Sequence, residues 1–396
     1  MATVSRGIRA PIIRQGDDIV KITVDSVMEA MNKEGFTLHD RDVIAVTEAV
    51  VARADGNYAK VDDIAEDVRN KLGGGHIGVV FPILSRNRFS ICLKGIARGA
   101  KKVTVLLSYP SDEVGNHLVD PEVLEDSGVN PWGDALTSER FYEICGGECR
   151  HPFTGVDYIE FYKGLIEDEG AEAEIIFSNR PEVILDYTEN VLCCDTHTRG
   201  RTKNRILKHA GKNAKVLTLC DIMNAPVNGS GCCPEYGLLG SNKATEETVK
   251  LFPKNAYAVA MGIQKLMYER TGVHVEAMVY GDGAFKDPVG KIWELADPVV
   301  SPGYTPGLSG LPNELKLKFL ADNDYADLYG EELAEKIRER IREKDRDLKG
   351  SMLSQGTTPR MLTDLIGSLC DLTSGSGDKG TPIVLVQDYF VNYGDN

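Results

Sequence analysis

Gly7-Ile8-Arg9-Ala10-Pro11-Ile12-Ile13-Arg14-Gln15-Gly16-Asp17-Asp18 stands near one end of a 396-residue chain. Near the other end stands Ser374-Gly375-Ser376-Gly377-Asp378-Lys379-Gly380-Thr381-Pro382-Ile383-Val384-Leu385-Val386. Each couples an apolar run to Gly-rich turn signals. Close behind the first comes Asp42-Val43-Ile44-Ala45-Val46-Thr47-Glu48-Ala49-Val50-Val51-Ala52-Arg53-Ala54-Asp55-Gly56. Asp40-Arg41-Asp42 reads as a turn, and Val43 to Val51, apolar and β-branched, as a buried strand. Asp18 to Met31 sets Ile19, Ile22, Val27 and Met31 at helical spacing. Val61 to Leu72 is a short amphipathic helix stopped by Gly73-Gly74-Gly75. Residues 1–75 thus read as strand, helix, strand, helix.

Further along, strands are expected at Lys102–Tyr109, Ala173–Ser178, Val191–Asp195 and Ala214–Asp221, with helices at Tyr158–Glu169 and Arg199–Gly211. Such alternation predicts a parallel sheet, with ligands at the carboxyl ends of its strands. Beyond it come a Gly/Cys/Pro-rich loop, Asn224–Gly240, and a helix over Asn255–Gly272. The strand Val273–Tyr280 runs into Gly281-Asp282-Gly283. A charged helix at Glu331–Leu348, a helix at Arg360–Thr373 and a last strand at Ile383–Tyr389 complete the chain. The fold class is α/β with mixed α+β character. We divide the chain at 1–75, 76–214 and 215–396, the middle part being an additional α/β block.

Net charge is −15, with acids spread along the chain. That disfavours nucleic acid and anionic membranes as partners. No apolar run reaches the ~20 residues of a membrane span, and residues 1–14 lack a signal-peptide core, so a cytoplasmic protein is expected. An odd count of nine cysteines argues against a disulfide framework. Cys193-Cys194, Cys232-Cys233 and the Cys145/Cys149 pair lack the usual zinc spacing, and buried reduced thiols are the simpler reading.

Several segments carry chemistry. Asp282 ends an apolar strand between glycines, which suits a hard-cation ligand or a simple Asp-Gly turn. Asp221, in Asp221-Ile222-Met223-Asn224-Ala225, is a second candidate metal ligand, or an Asx turn. Gly375, Ser376 and Gly377 let backbone N–H groups approach phosphates, although no Walker ending follows. Gly16-Asp17-Asp18 alone reads as a turn and helix cap. Asp195-Thr196-His197-Thr198-Arg199-Gly200-Arg201 is consistent with an anion site, a metal site or a capping motif. Cys193, Cys194 and His197 form a weaker soft-metal alternative. No Gly-x-Ser-x-Gly, His-Glu-x-x-His or Gly-x-Gly-x-x-Gly motif supports a hydrolase or a dinucleotide-dependent oxidoreductase.

Taken together, the two end segments, the Asp42–Gly56 stretch, and Leu266–Val275 leading to Asp282 resemble the γ-glutamyl ligases that add glutamate to the deazaflavin coenzyme F420. The resemblance covers about 7–75 and 215–390. It implies an amide-forming ligase in which GTP or ATP phosphorylates a carboxylate such as that of F420-0, and an amino acid amine displaces the phosphate. It further implies Mg2+ or Mn2+, K+ as an additional cation, and a homodimer. Ala10, Pro11, Ile12 and Ile13 would then wrap the base and sugar, Glu48, Ala49 and Arg53 face the phosphates, and Asp282 and Asp221 hold metal. The chain departs from the family at Glu48, at Gly283 (where the family has Thr) and at Ser376 (where some relatives carry Glu). Glutamylation of a folate-like or other carboxylate is an alternative acceptor chemistry. A non-catalytic nucleotide- or ligand-binding protein on the same scaffold, or a thiol or metal protein using the Cys pairs, are alternatives of another class.

Overall fold

The computed structural model describes residues 2–395 except 114, 153, 282–284, 287–292, 295–300, 358–359 and 375–377. The chain opens with β1 (Val4–Ile8), α1 (Ile19–Glu34), β2 (Val43–Thr47), α2 (Glu48–Asp55), β3 (Tyr58–Lys60) and α3 (Val61–Leu72). It continues with β4 (His76–Val80), α4 (Phe89–Arg98), β5 (Lys102–Leu107), α5 (Pro121–Asp126), β6 (Leu136–Thr137), α6 (Ser138–Ile144), α7 (Tyr158–Asp168) and β7 (Glu172–Phe177). Next come β8 (Asn190–Cys193), α8 (Arg199–His209), β9 (Lys215–Thr218), β10 (Asn242–Thr245) and β11 (Thr248–Lys250). The remainder holds α9 (Ala256–Thr271), β12 (Glu276–Tyr280), a small hairpin of β13 (Phe285–Lys286) and β14 (Trp293–Glu294), and β15 (Gly303–Tyr304). Last come α10 (Leu317–Phe319), α11 (Gly330–Arg342), α12 (Leu362–Thr373) and β16 (Ile383–Gln387).

Two sheets organise these elements. The first has five strands in the order β1-β16-β2-β12-β15. It unites both ends of the chain, because β16 lies antiparallel between β1 and β2, while β2 and β12 run parallel. One face packs on α1 and α9 through Val24, Val27, Ile263 and Met267. The other packs on α12 through Ile366 and Cys370. Covered on both faces, β2 reads as the continuous apolar run expected of a buried parallel strand.

The second sheet has six strands in the order β6-β7-β5-β4-β8-β9. All but β6 run parallel. The chain starts in the middle at β4, winds outward through β5 to β7, then crosses to β8 and β9 on the other side. This is a doubly wound order, with its reversal between β4 and β8. Helices α3, α4 and α7 cover one face and α8 the other. The core under α3 and α4 also draws in Leu219, Ile222, Met223, Cys233 and Leu251, so apolar packing is continuous from 59 to 252.

A seam joins the two sheets. Asn57 is fully buried; its amide donates to the carbonyls of Cys232 (2.9 Å) and Phe252 (2.6 Å), and its Oδ1 accepts from Cys232 N (2.9 Å). A buried amide with all these bonds made fixes the relative position of the segments it links.

Two expected elements are corrected. The apolar run Val43–Val51 is not a single strand: β2 ends at Thr47 and α2 begins at Glu48. A short apolar run cannot by itself distinguish strand from helix. Here Val51 and Ala52 are buried as helix residues, and Gly56 closes the helix with φ 63°, a left-handed conformation that favours glycine. The expected strand Ala214–Asp221 likewise stops at Thr218, and a 3-10 turn takes Leu219–Asp221.

Candidate functional site

Strand pairing in the five-stranded sheet gathers four segments at one edge. Ile8 at the end of β1 pairs with Ile383 at the start of β16, and Ile383 pairs with Val46 near the end of β2. Thr47 and Tyr280, the last residues of β2 and β12, are register partners. Backbone bonds extend the junction: Ala10 N donates to Gly380 O (3.3 Å) and Thr47 N to Pro382 O (3.0 Å). Residues 8–13, 47–49, 280–281 and 378–382 therefore lie side by side at the carboxyl ends of two parallel strands, where α/β sheets hold their ligands. Tyr280 is fully buried, and burial pushes its phenol up, with Ser374 at the end of α12 offsetting part of the effect. This places the end of α12 beside the end of β12.

The N-terminus of α2 opens onto this edge. The first N–H groups of a helix have no intrahelical partner and carry partial positive charge, so they attract anions. Glu48 does not occupy them. Its carboxylate is buried and receives Lys250 Nζ from β11 at 2.7 and 2.8 Å. The acid is thus neutralised within the protein, and exposed Ala49 follows it on the helix. At the far end of α2, Arg53 is exposed, and no carboxylate among the described residues pairs with it. Arg9 and Lys379, also exposed, flank the β1–β16 junction. In a chain of net charge −15 these exposed cations, none of them in an ion pair among the described residues, stand out. Next to Arg9, Ile12 is 81% exposed although Ile13 is buried at 4%. One face of the 10–13 segment is anchored in the core while an apolar face is left uncovered.

A family model for F420-0:gamma-glutamyl ligase matches residues 7–388. The chain belongs to this family. No curated protein matches it. The matched stretch runs through the middle block as well as the two ends, wider than the coverage expected from the motifs.

Among the sequence-based site residues of this γ-glutamyl ligase family member, the structure brings together Ala10, Pro11, Ile12, Ile13, Glu48 and Ala49 at the five-stranded edge, with Arg53 on the same helix. Asp282, Gly375, Ser376 and Gly377 lie outside the described residues. Asp221 is elsewhere, in the turn after β9 of the six-stranded sheet. Its Oδ2 accepts from Thr218 N (2.7 Å), Thr218 Oγ1 (3.0 Å) and Lys203 Nζ (3.4 Å). Burial alone would raise this carboxyl, but the Thr218 bonds and the Lys203 charge outweigh it and hold the carboxyl below its ordinary range. Asp221 closes a turn, and its neighbour Asn224 takes Lys71 Nζ at 3.0 Å. This arrangement suits the Asx-type alternative.

Lys250, Arg9 and Lys379 were not anticipated. Arg9 and Lys379 sit inside the two quoted end segments, and their positive charge was the available signal. Lys250 had none, because its role depends on β11 pairing with β3 next to α2.

The cysteine alternatives are corrected. Cys193 and Cys194 are consecutive strand-end residues whose side chains enter cores on opposite faces of the six-stranded sheet. Burial raises both thiols, Cys193 to about 12, whereas His197 is exposed. They do not form a soft-metal cluster. All nine cysteines are free.

Proposed function

We propose that the chain is a nucleotide-dependent amide-forming ligase with its phosphate site at the carboxyl edge of β2 and β12. The observation that carries this reading is the meeting of the α2 N-terminus with the exposed cations Arg9 and Lys379 at that edge, neither of them in an ion pair among the described residues. Family membership supports γ-glutamyl ligation in F420 biosynthesis. In the reaction, a substrate carboxylate oxygen attacks the terminal phosphorus of GTP or ATP. The bond to the bridging oxygen breaks and the nucleoside diphosphate leaves. The amino group of L-glutamate, or of another amino acid, then attacks the acyl phosphate carbon. The amide forms and inorganic phosphate and a proton depart.

The chain's own groups suit this work. Backbone N–H groups at the start of α2 would take phosphate oxygens, and Arg53 would add a forked donor. The uncovered face of Ile12 offers an apolar surface for the nucleobase. Glu48 is absorbed by Lys250, so its place opposite the phosphates is filled by backbone donors in place of a hydroxyl. Mg2+ or Mn2+, when bound, would offset the charge of the transferred phosphoryl group. Asp282, two residues past the end of β12, is the ligand we assign to it. Asp221 does not fit that role, because its donors already saturate Oδ2 and it belongs to the other sheet. The acceptor is F420-0 or another carboxylate of similar kind, and the enzyme acts as a homodimer in the cytoplasm.

The test is phosphate release from GTP and ATP with Mg2+ or Mn2+, against a panel of amino acids and carboxylates including F420-0. Release that requires both an acid and an amine, and falls on the order of 100- to 1,000-fold in Asp282→Asn, is expected. Absence of nucleotide binding would overturn the reading. Nucleotide binding without turnover for any acid–amine pair would favour the binding-protein alternative.

A further inference from the structure

The carboxyl edge of the six-stranded sheet holds a second constellation that the ligase reading does not use. Loop 108–119 follows β5 and is tied down by the Ser111–His117 bridge. From it Glu113 reaches across β4 to the loop after β8, where its Oε1 accepts from the backbone N–H groups of Thr196 and of His197 (3.2 Å). Asp195 lies in that same loop and is 2% exposed. Its Oδ2 accepts from Thr198 Oγ1 (2.6 Å) and Thr202 Oγ1 (3.0 Å). In each carboxylate one oxygen is therefore held by donors. The other, Glu113 Oε2 and Asp195 Oδ1, is buried with no hydrogen-bond partner among the described residues.

Two half-satisfied buried carboxylates are an expensive arrangement in an isolated chain. The hydroxyls of Thr198 and Thr202 account for Asp195 Oδ2 but not for Oδ1. The bonds of Glu113 account for Oε1 but not for Oε2. The groups that face the pair do not neutralise it directly. Arg199, the nearest guanidinium on α8, donates to Thr196 O. The buried His151, at 3.1 Å, pairs with Asp112. Burial pushes the Glu113 carboxyl up to about 7, and the negative charge of Asp195 adds to that effect. Burial raises Asp195 as well. The location is also distinctive, because the crossing from the β5 loop to the β8 loop spans the point where the doubly wound order reverses.

We propose that Glu113 and Asp195 form a divalent-cation site, separate from the ligase metal, in which Glu113 Oε2 and Asp195 Oδ1 are the protein ligands and water completes the shell. Hard oxygen ligands of this kind suit Mg2+ or Mn2+, which commonly keep several waters and use one or two carboxylates. A cation there satisfies both orphaned oxygens and cancels the repulsion between the two acids. It also ties the loop after β5 to the start of α8.

The experiment uses the full-length protein and Mn2+ alone, with free Mn2+ followed by electron paramagnetic resonance. The background is Asp282→Asn, so that the ligase metal does not contribute. We expect one Mn2+ bound per chain in that background, weakened about tenfold or more by Glu113→Gln and by Asp195→Asn separately. Glu113 lies on a surface loop, so Glu113→Gln retains the fold even if Asp195→Asn does not. Circular dichroism of each variant verifies this. Equal Mn2+ binding with and without Glu113→Gln, or no binding in the Asp282→Asn background, would overturn the proposal. Loss of ligase activity in Asp282→Asn with this Mn2+ retained separates the two sites.

Discussion

The two sheets present opposite chemistry at equivalent places. The five-stranded sheet ends beside the start of α2 and the exposed cations Arg9 and Lys379, with Arg53 in the last turn of that helix. The six-stranded sheet ends in two half-satisfied acids, Glu113 and Asp195. Parallel strands with helical crossovers create a ligand-receiving edge in both cases. Backbone architecture thus decides where a ligand goes, and a few side chains decide its charge. A further contrast lies in how stray charge is handled. In the first region a buried acid, Glu48, has a dedicated lysine. In the second, the acids have no such partner.

That contrast is broken most severely at Lys250. Replacing it by methionine leaves Glu48 buried and unpaired, at a cost of about 3–5 kcal/mol. Urea unfolding of Lys250→Met should show the loss, and Glu48→Gln in the same chain should restore part of it. A stability equal to wild type would mean that the pair is not the structural feature described above. The next effect is on ligand affinity. Arg53→Ala should weaken nucleotide binding roughly 10- to 100-fold, the value of a charge-assisted bond to phosphate, with an unchanged melting temperature. Calorimetric titration with a non-hydrolysable nucleotide measures it, and unaltered affinity would remove Arg53 from the phosphate site.

Smaller effects sharpen the acidic side. Glu113 binds its proton more tightly in the folded chain than in the unfolded one, with a value of about 7 against an ordinary 4.5. Its contribution to stability is therefore complete below about 4.5 and is lost as pH rises through about 7. In chelator, wild type should lose on the order of a few degrees of melting temperature over that window relative to Glu113→Gln. Parallel curves for the two proteins would contradict the assigned surroundings of Glu113. Last, Asp221→Asn should cost about 1 kcal/mol through its weakened turn, with the metal requirement of ligation unchanged. A changed metal requirement would return Asp221 to the metal site.

Much of this organisation is legible in the residues themselves. The doubly wound block shows in the alternation of β-branched runs with amphipathic ones from Lys102 to Thr218. The helix ends show in Gly35, Gly73 and Gly272, each in the left-handed region at a helix stop. The boundary between β2 and α2 is not legible, because Val50 and Val51 suit either conformation until tertiary packing chooses. Glu48 shows the same limit at the site. The family resemblance implied that its position faces phosphate, but whether an acid is free or committed depends on a residue 202 positions away. Asp221 follows a strand, as a metal ligand would, yet its turn bonds to Thr218 exist only because β9 stops three residues earlier. Glu113 was invisible for a related reason: it becomes a neighbour of Asp195 only once β4 separates β5 from β8. Family membership was legible because the two end segments meet in space, so each constrains what the other can be.

The place of β16 has a consequence for how the protein is made. Strand β16 lies between β1 and β2, so the N-terminal strand has no sheet partner until residue 387 has left the ribosome. The six-stranded sheet, complete by residue 218, faces no such delay. Synthesis should therefore complete the six-stranded sheet first, and a nascent chain halted before β16 would lack the edge at which we place the nucleotide site.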